Sequence, residues 1–418
     1  PITSQPDVNA GSPNNPPRPR GPNAALESHL TALVQKTGTL KDMDAQDAGL
    51  RAALKLYVEN RFDECRDALK SLRGTHPSLP PARYVLADIL SDHNRLALAK
   101  VELERLAIEE PDFAGPFVMF GSLAAIERRF SDADLNFQHA NRLLANSGDS
   151  PLEKSLRHRT VIGLASVAEM RRDWSRAREH MAVWLTIEPD NAVLKQRLAR
   201  ASLLDGREEE CLRLLREVAL KDPNIPPAEG LLASFYIEQD DEPGAAKWIR
   251  QALSLHPKDS RVHGIAAKWK LRAADFAKAE EFARAALKLN AKSLEARSVL
   301  GAVDWNRGKF SEAQQHFEAV HWGTGSGART SIRLIQALVE QDDPAARSRA
   351  EALAKKNLER SPKSPSGHAM LAWIFHRQGR DQEAEAVMRK AISLGSLDAS
   401  SGYYCACIFV KTGKSPEA

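Results

Sequence analysis

A helical phrase built around small residues returns every 34 residues, and that period limits what this chain can fold into. Aligned on one small residue, the copies fall at Cys65, Ala99, Ala133, Ala177, Cys211, Ala245, Ala279, Ala313, Ala350, Ala384 and Ala418. Successive steps are 34, 34, 44, 34, 34, 34, 34, 37, 34 and 34 residues. A second small residue sits 12 positions earlier, as at Ala87, Gly121, Ala165, Ala233, Gly301 and Ala372. Proline sits 12 positions later at Pro77, Pro111, Pro189, Pro223, Pro257 and Pro362. A glycine or polar turn lies between the two small residues, as at Gly206, Gly308, Gly379 and Gly413.

Each marker has a physical cause. Two antiparallel helices approach closely only where the facing side chains are small, so Gly301 and Ala313 are expected to meet across one pair. Larger neighbours such as Leu300, Phe310 and Phe317 then fill the space beside them. Proline lacks a backbone donor and marks the end of the second helix. One helix pair cannot hide its apolar faces alone, so the pairs must stack. The expected fold is therefore all-α, a solenoid of about ten to eleven helix-turn-helix units.

The period and its markers resemble the tetratricopeptide repeat family. The resemblance covers residues 46–418, with ten complete units and the first helix of an eleventh. It implies a right-handed α-α superhelix whose first helices line a concave groove. Two places depart from the pattern. Around Ala145–Arg159 the unit carries about ten extra residues, SGDSPLEKSL among them, and His321–Arg329 (HWGTGSGAR) replaces a normal helix end. Both read as kinks or as added surface.

Residues 1–23 hold seven prolines and few large apolar residues, which suits a disordered arm with polyproline II character. Pro16, Pro17, Pro19, Arg18 and Arg20 read as a linker, with a proline-motif ligand as the alternative. Leu26, Leu30, Leu33 and Val34 form an apolar stripe, so residues 24–45 are expected to hold a capping helix and linker. The chain starts at Pro1, which suits a processed product, and stops at Ala418 within a repeat, which suggests a further domain. Cytoplasmic and exported locations both stay open, and no apolar run is long enough to cross a membrane.

Composition narrows the function classes. With 59 basic against 55 acidic residues the net charge is +4, which points to no particular partner. Arginine clusters such as RLAR and RHRT have acidic neighbours, so no basic stripe speaks for nucleic acid. The four cysteines, Cys65, Cys211, Cys405 and Cys407, read as core residues rather than a disulfide framework. No phosphate-binding glycine loop, HExxH or CxxCH occurs, and Cys405 with Cys407 lacks partners for a metal. No catalytic residue, cofactor or metal is expected.

What remains is recognition. Groove positions carried over from the resemblance are Arg200, Arg261, Lys268 and Arg272 in the middle units, and Trp305, Trp373, His376, Arg377 and Tyr403 near the C-terminus. The basic set is read as a solvated face, with acidic-group binding as the alternative. The aromatic set is either a binding hot spot or packing between units. The chaperone-tail clamp of one family branch is missing, since its positions hold Leu50, Leu54, Tyr84 and Asp88. The expected function is a non-catalytic scaffold for a protein or peptide of unknown identity. The alternative is a regulatory arm of a larger enzyme, or of an exported bacterial envelope or secretion machine.

Overall fold

The computed structural model describes residues 30–413 apart from 36, 39, 41, 42, 45, 46 and 326. The proline-rich arm lies outside the described residues. Among those described there is no strand, and the chain is an all-α array of helix pairs. It divides into two compact units, one ending at Arg207 and one starting at Glu208.

The first unit holds α1 (Ala48–Val58), α2 (Phe62–Thr75), α3 (Ala82–Asp92), α4 (Leu96–Glu109), α5 (Gly115–Ile126), α6 (Phe130–Ala145), α7 (Pro151–Met170), α8 (Trp174–Ile187) and α9 (Ala192–Leu204). The second holds α10 (Glu208–Lys221), α11 (Ala228–Glu238), α12 (Glu242–Leu255), α13 (Ser260–Arg272), α14 (Phe276–Leu289), α15 (Leu294–Asn306), α16 (Phe310–Gly323), α17 (Ala328–Val339), α18 (Pro344–Arg360), α19 (Pro365–Arg377), α20 (Asp381–Leu394) and α21 (Ala399–Lys411). Ahead of them residues 30–35 are helical, and Leu30, Leu33 and Val34 are buried in the first unit's core.

The turn inside the pairs repeats almost as faithfully as the small residues do, and only the pair marked by Ala350 lacks it among the described residues. Five residues before the marker the backbone takes a left-handed φ, at Asn60, Asn94, Arg128, Arg172, Gly206, Asp240, Ala274, Gly308, Gly379 and Gly413. This residue closes the first helix: the Arg61 N–H donates to the Leu56 carbonyl at 2.9 Å, and Lys309 repeats the bond to Asp304 at 2.8 Å. Glycine takes this conformation freely; at Ala274 and the two arginines the packed helices impose it.

Close approach is visible where glycine faces an aromatic ring. A Cβ added at Gly301 would lie 2.7 Å from Phe317, across the pair that Ala313 also joins. In the first unit one ring serves two contacts. A Cβ at Gly121 would lie 2.8 Å from Phe137, and one at Gly163 only 2.4 Å from it. Phe137 on α6 therefore packs its own pair and the next one together.

The insertion near Ala145 is built as helix. Pro151–Met170 spans 20 residues, and Ser150 with Glu153 forms a capping box at its start. Arg157 reaches back to the carbonyls of Leu144, Ser147 and Gly148 at 3.1, 2.9 and 2.7 Å, which fixes the preceding loop. At the second departure α16 runs on to Gly323, and the buried His321 ring lies 3.3 Å from both the Thr330 and Ser331 hydroxyls.

One buried carboxylate links neighbouring pairs. Asp134 on α6 accepts from Arg171 at 3.0 Å and from both terminal nitrogens of Arg176 at 3.1 Å. Burial alone would raise its carboxyl, but the Arg176 and Arg171 guanidiniums and Gln138 outweigh burial and hold it below its usual value. A depressed folded-state value stabilises at neutral pH, and that stabilisation fades as pH falls through it. Asp134→Asn is expected to cost about 1–3 kcal/mol at pH 7, toward the lower end because both arginines are partly exposed. In urea melts the gap between parent and variant should close below about pH 4. A gap that persists unchanged at acid pH would show that the charge is irrelevant.

Candidate functional site

First helices of successive pairs touch one another, α13 with α15 and α19 with α21, so they share a face within the second unit. The C-terminal part of that face carries an aromatic group. Trp373, His376 and Arg377 lie at i, i+3 and i+4 on α19, hence on one side of it. From α21, Tyr404 stacks on Trp373 at 4.8 Å and 14°, and Tyr403 lies 6.0 Å from the same indole at 56°.

The group is held by polar contacts. The Trp373 indole N–H donates to Glu340 Oε1 at 2.9 Å, at the end of α17. Arg377 stands 3.5 Å from the same carboxylate, and its guanidinium carbon lies 5.8 Å from the Trp373 ring centre. His376 Nδ1 is 2.7 Å from Asp381 Oδ1, which orients the imidazole. Burial pushes the Tyr404 phenol above its usual value, partly countered by a hydrogen bond with Gln336.

These residues divide into support and surface. Trp373 is only 6% exposed, so of the two readings open for the aromatic set this residue fits packing between units. The reason is α21, whose Tyr404 covers the indole face. Tyr403 is 62% exposed and stands on this base. Trp305 is not part of the ring group; it is half-buried on α15 and meets Phe310 edge-on at 6.4 Å. Its indole nitrogen is buried without a hydrogen-bond partner.

The basic residues do not act as one set. Arg200 belongs to the first unit and the others to the second. Arg261 is bound by Asp259, through Nε at 2.9 Å and Nη2 at 2.5 Å, and also donates to the Pro223 carbonyl. Arg272 is paired with Asp240. Lys268 is exposed on α13, where its charge acts on Glu295. Arg261 and Arg272 are thus already satisfied within the protein.

Glu340, Gln336 and Tyr404 were missed from sequence. The adjacent tyrosines in SGYYC were the available signal for Tyr404; Gln336 on α17 and Glu340 just past its end become partners only through stacking. Trp322, 66% exposed at the end of α16, was missed too, although the HW pair in the irregular loop is visible in the sequence. Cys65, Cys211 and Cys405 are buried and Cys407 is half-buried, all as free thiols, and burial pushes the thiols of Cys65 and Cys211 up to about 12. Among the described residues no three His, Cys, Asp or Glu side chains converge as metal ligands, and no helix is long and apolar enough to cross a membrane.

The tetratricopeptide repeat family profile matches residues 332–401, a stretch that includes Trp373, His376 and Arg377 and ends just before Tyr403 and Tyr404. A curated relative is cellulose synthase operon protein C of Xanthomonas axonopodis pv. citri (strain 306), 23% identical over 405 residues. The match covers 87% of this chain and 26% of the relative, so the chain spans about a quarter of that protein's length. A solved tetratricopeptide repeat protein from Parabacteroides merdae ATCC 43184 is 17% identical, over 60% of this chain and 98% of that one, with a TM-score of 0.37. The Cut9–Hcn1 hetero-tetramer of the APC/C contributes a chain 12% identical, over 91% of this chain and 80% of that one, with a TM-score of 0.41. By this profile match residues 332–401 are tetratricopeptide repeat sequence, and helix pairs, most of them 34 residues apart, run through residues 48–394.

Proposed function

We propose that this chain is a non-catalytic scaffold that binds a protein or peptide partner on the face formed by α17, α19 and α21. Tetratricopeptide repeat arrays are in general interaction scaffolds. The observation that carries the reading is Tyr403. It is a large amphipathic ring, mostly exposed, resting on the Trp373–Tyr404 stack that Glu340 and Gln336 hold in place. An aromatic side chain fixed before binding loses little freedom on contact, which is the property of an interface hot spot.

The test uses Tyr403→Ala, which removes the exposed ring and leaves the buried stack. A partner captured by the parent chain should bind the variant roughly tenfold or more weakly, as expected for a hot-spot truncation. Equal binding by a variant that melts like the parent would remove this face from the function.

A second reading is favoured by one observation, the relative named for a cellulose synthase operon. In that reading the chain is the repeat arm of a larger protein serving an exported polysaccharide assembly. Capture of polysaccharide-synthase subunits in a Tyr403-dependent way would support it, and capture of unrelated proteins alone would count against it.

A further inference from the structure

His321 closes the corner between α16 and α17, at the second departure from the repeat. It lies in the last turn of α16 and is only 2% exposed. Gly323, Gly325 and Gly327 follow it, and Gly325 takes a left-handed φ of 75°. The chain then enters α17, whose start holds Thr330 and Ser331. Both hydroxyls donate to the Gly327 carbonyl, at 2.9 and 3.0 Å, and both oxygens lie 3.3 Å from His321 Nδ1. With the hydroxyl protons so used, Nδ1–H is the donor to them and Nε2 carries no proton. The neutral imidazole therefore ties the end of one helix pair to the start of the next.

The surroundings oppose a second proton on this ring. Burial pushes the imidazole below its usual value, and the Lys356 and Arg360 charges on α18 push it the same way. From α17 the ring meets hydroxyls, and Arg333 of that helix is turned to Gln336 at 3.5 Å. On α16 itself Glu318 accepts from Arg349 at 2.7 Å, and His316 lies 3.7 Å from Asp304 of α15. The last turn of α16 favours a cation and the first turn of α17 disfavours one, so the two helix ends oppose each other. Among the described residues no carboxylate pairs with His321. By contrast His76, His158, His256, His316 and His376 each face one at 2.6–3.7 Å.

We infer that His321 is a pH-sensitive pin, which holds the corner of α16 and α17 while neutral and releases it when protonated. The three glycines let the backbone turn there once the ring lets go. The sign follows from linkage. An open corner frees the ring to take a proton at an ordinary value of about 6.5, whereas the closed corner resists it. The corner is thus fully held above about pH 6.5 and loosens as pH falls below it. Gln336 on α17 and Glu340 just past its end support the Trp373–Tyr404 stack, so release at the start of α17 also weakens that support. The inference stands whether or not that face binds a partner.

The test is hydrogen exchange on the whole chain at pH 7.5 and 5.5, expressed as protection factors so that the intrinsic pH dependence of exchange drops out. Amides of residues 319–334 should lose protection roughly five- to tenfold at pH 5.5, the ratio set by an open ring titrating near 6.5 and a closed one at or below 5.5. Amides of the first unit should lose less. His321→Asn places an amide near the Nδ1 position and takes no proton, so its protection over 319–334 should change little between the two conditions. Lys356→Glu alters an exposed residue and sets a carboxylate toward the ring, so the loss should shrink several-fold. If His321→Asn melts early, Lys356→Glu carries the test alone. The inference is overturned by protection over 319–334 that does not depend on pH, by a loss that persists in a folded His321→Asn, or by a loss that Lys356→Glu leaves unchanged. None of these readouts uses a partner or Tyr403, so the pin and the aromatic face fail or stand separately.

Discussion

Trp373→Ala is expected to destabilise the C-terminal pairs by about 3–5 kcal/mol, the range for deleting a buried indole from a packed core. The indole lies between helices of three successive pairs. Its N–H is bound by Glu340 beyond α17, its own backbone belongs to α19, and its face is covered by Tyr404 of α21. Removal leaves a cavity, strips Tyr404 of its stacking partner and leaves Glu340 without that donor. Trp373→Phe separates the terms: it keeps an aromatic face and loses the hydrogen bond, so roughly 1 kcal/mol is expected from the lost bond, plus a smaller packing term. Urea melts read by far-ultraviolet circular dichroism, with hydrogen exchange locating the change, measure both. In Trp373→Ala, amides of residues 365–411 should lose protection while those of the first unit keep theirs, because repeat stability is a sum of local terms. A stability like that of the parent would mean that the indole is not packed as described.

That buried indole also shows where sequence reading stops. Trp373 and Tyr403 both lie on first helices, at different places in the 34-residue repeat, and from sequence both were candidates for an exposed groove. Whether such a ring points outward or into the stack depends on the next helix pair. Tyr404 closes over Trp373, and no further helix closes over Tyr403 among the described residues. No local pattern records this difference.

The period, by contrast, was legible because each of its marks answers a local demand. Small residues appear where backbones meet, proline where a helix ends, and glycine, asparagine or aspartate where the chain turns left-handed. The exceptions are informative. Arg128, Arg172 and Ala274 occupy the same left-handed place against their own preference, so the packed pair overrides the turn residue. The insertion near Ala145 was read as a kink or added surface, yet SPLE is a capping-box pattern, and the segment continues α7 toward its N-terminus. The packing of Phe137 against Gly163 was invisible for another reason. It needs a glycine on one helix and an aromatic ring on another to coincide in space, and the sequence places Phe137 and Gly163 26 residues apart.

The register itself is tested by Ala313→Trp. Ala313 is fully buried on α16, in the pair where Phe317 already lies within van der Waals distance of any Cβ added at Gly301. An indole at this position has no space that small rotamer changes can open, so α15 and α16 must separate. Overpacking commonly costs about 1–3 kcal/mol and more where the backbone has to move, and the upper end or beyond is expected here. The damage should stay local. Amides in residues 294–323 should exchange faster, those of α17 and α18 should follow in part, and those of the first unit should not change. Ala313→Ser is the control, adding one small polar atom and costing roughly 1–3 kcal/mol through an unsatisfied hydroxyl without forcing the helices apart. If Ala313→Trp melts and exchanges like the parent, the small residue does not mark the helix contact, and the 34-residue alignment built on it is misplaced.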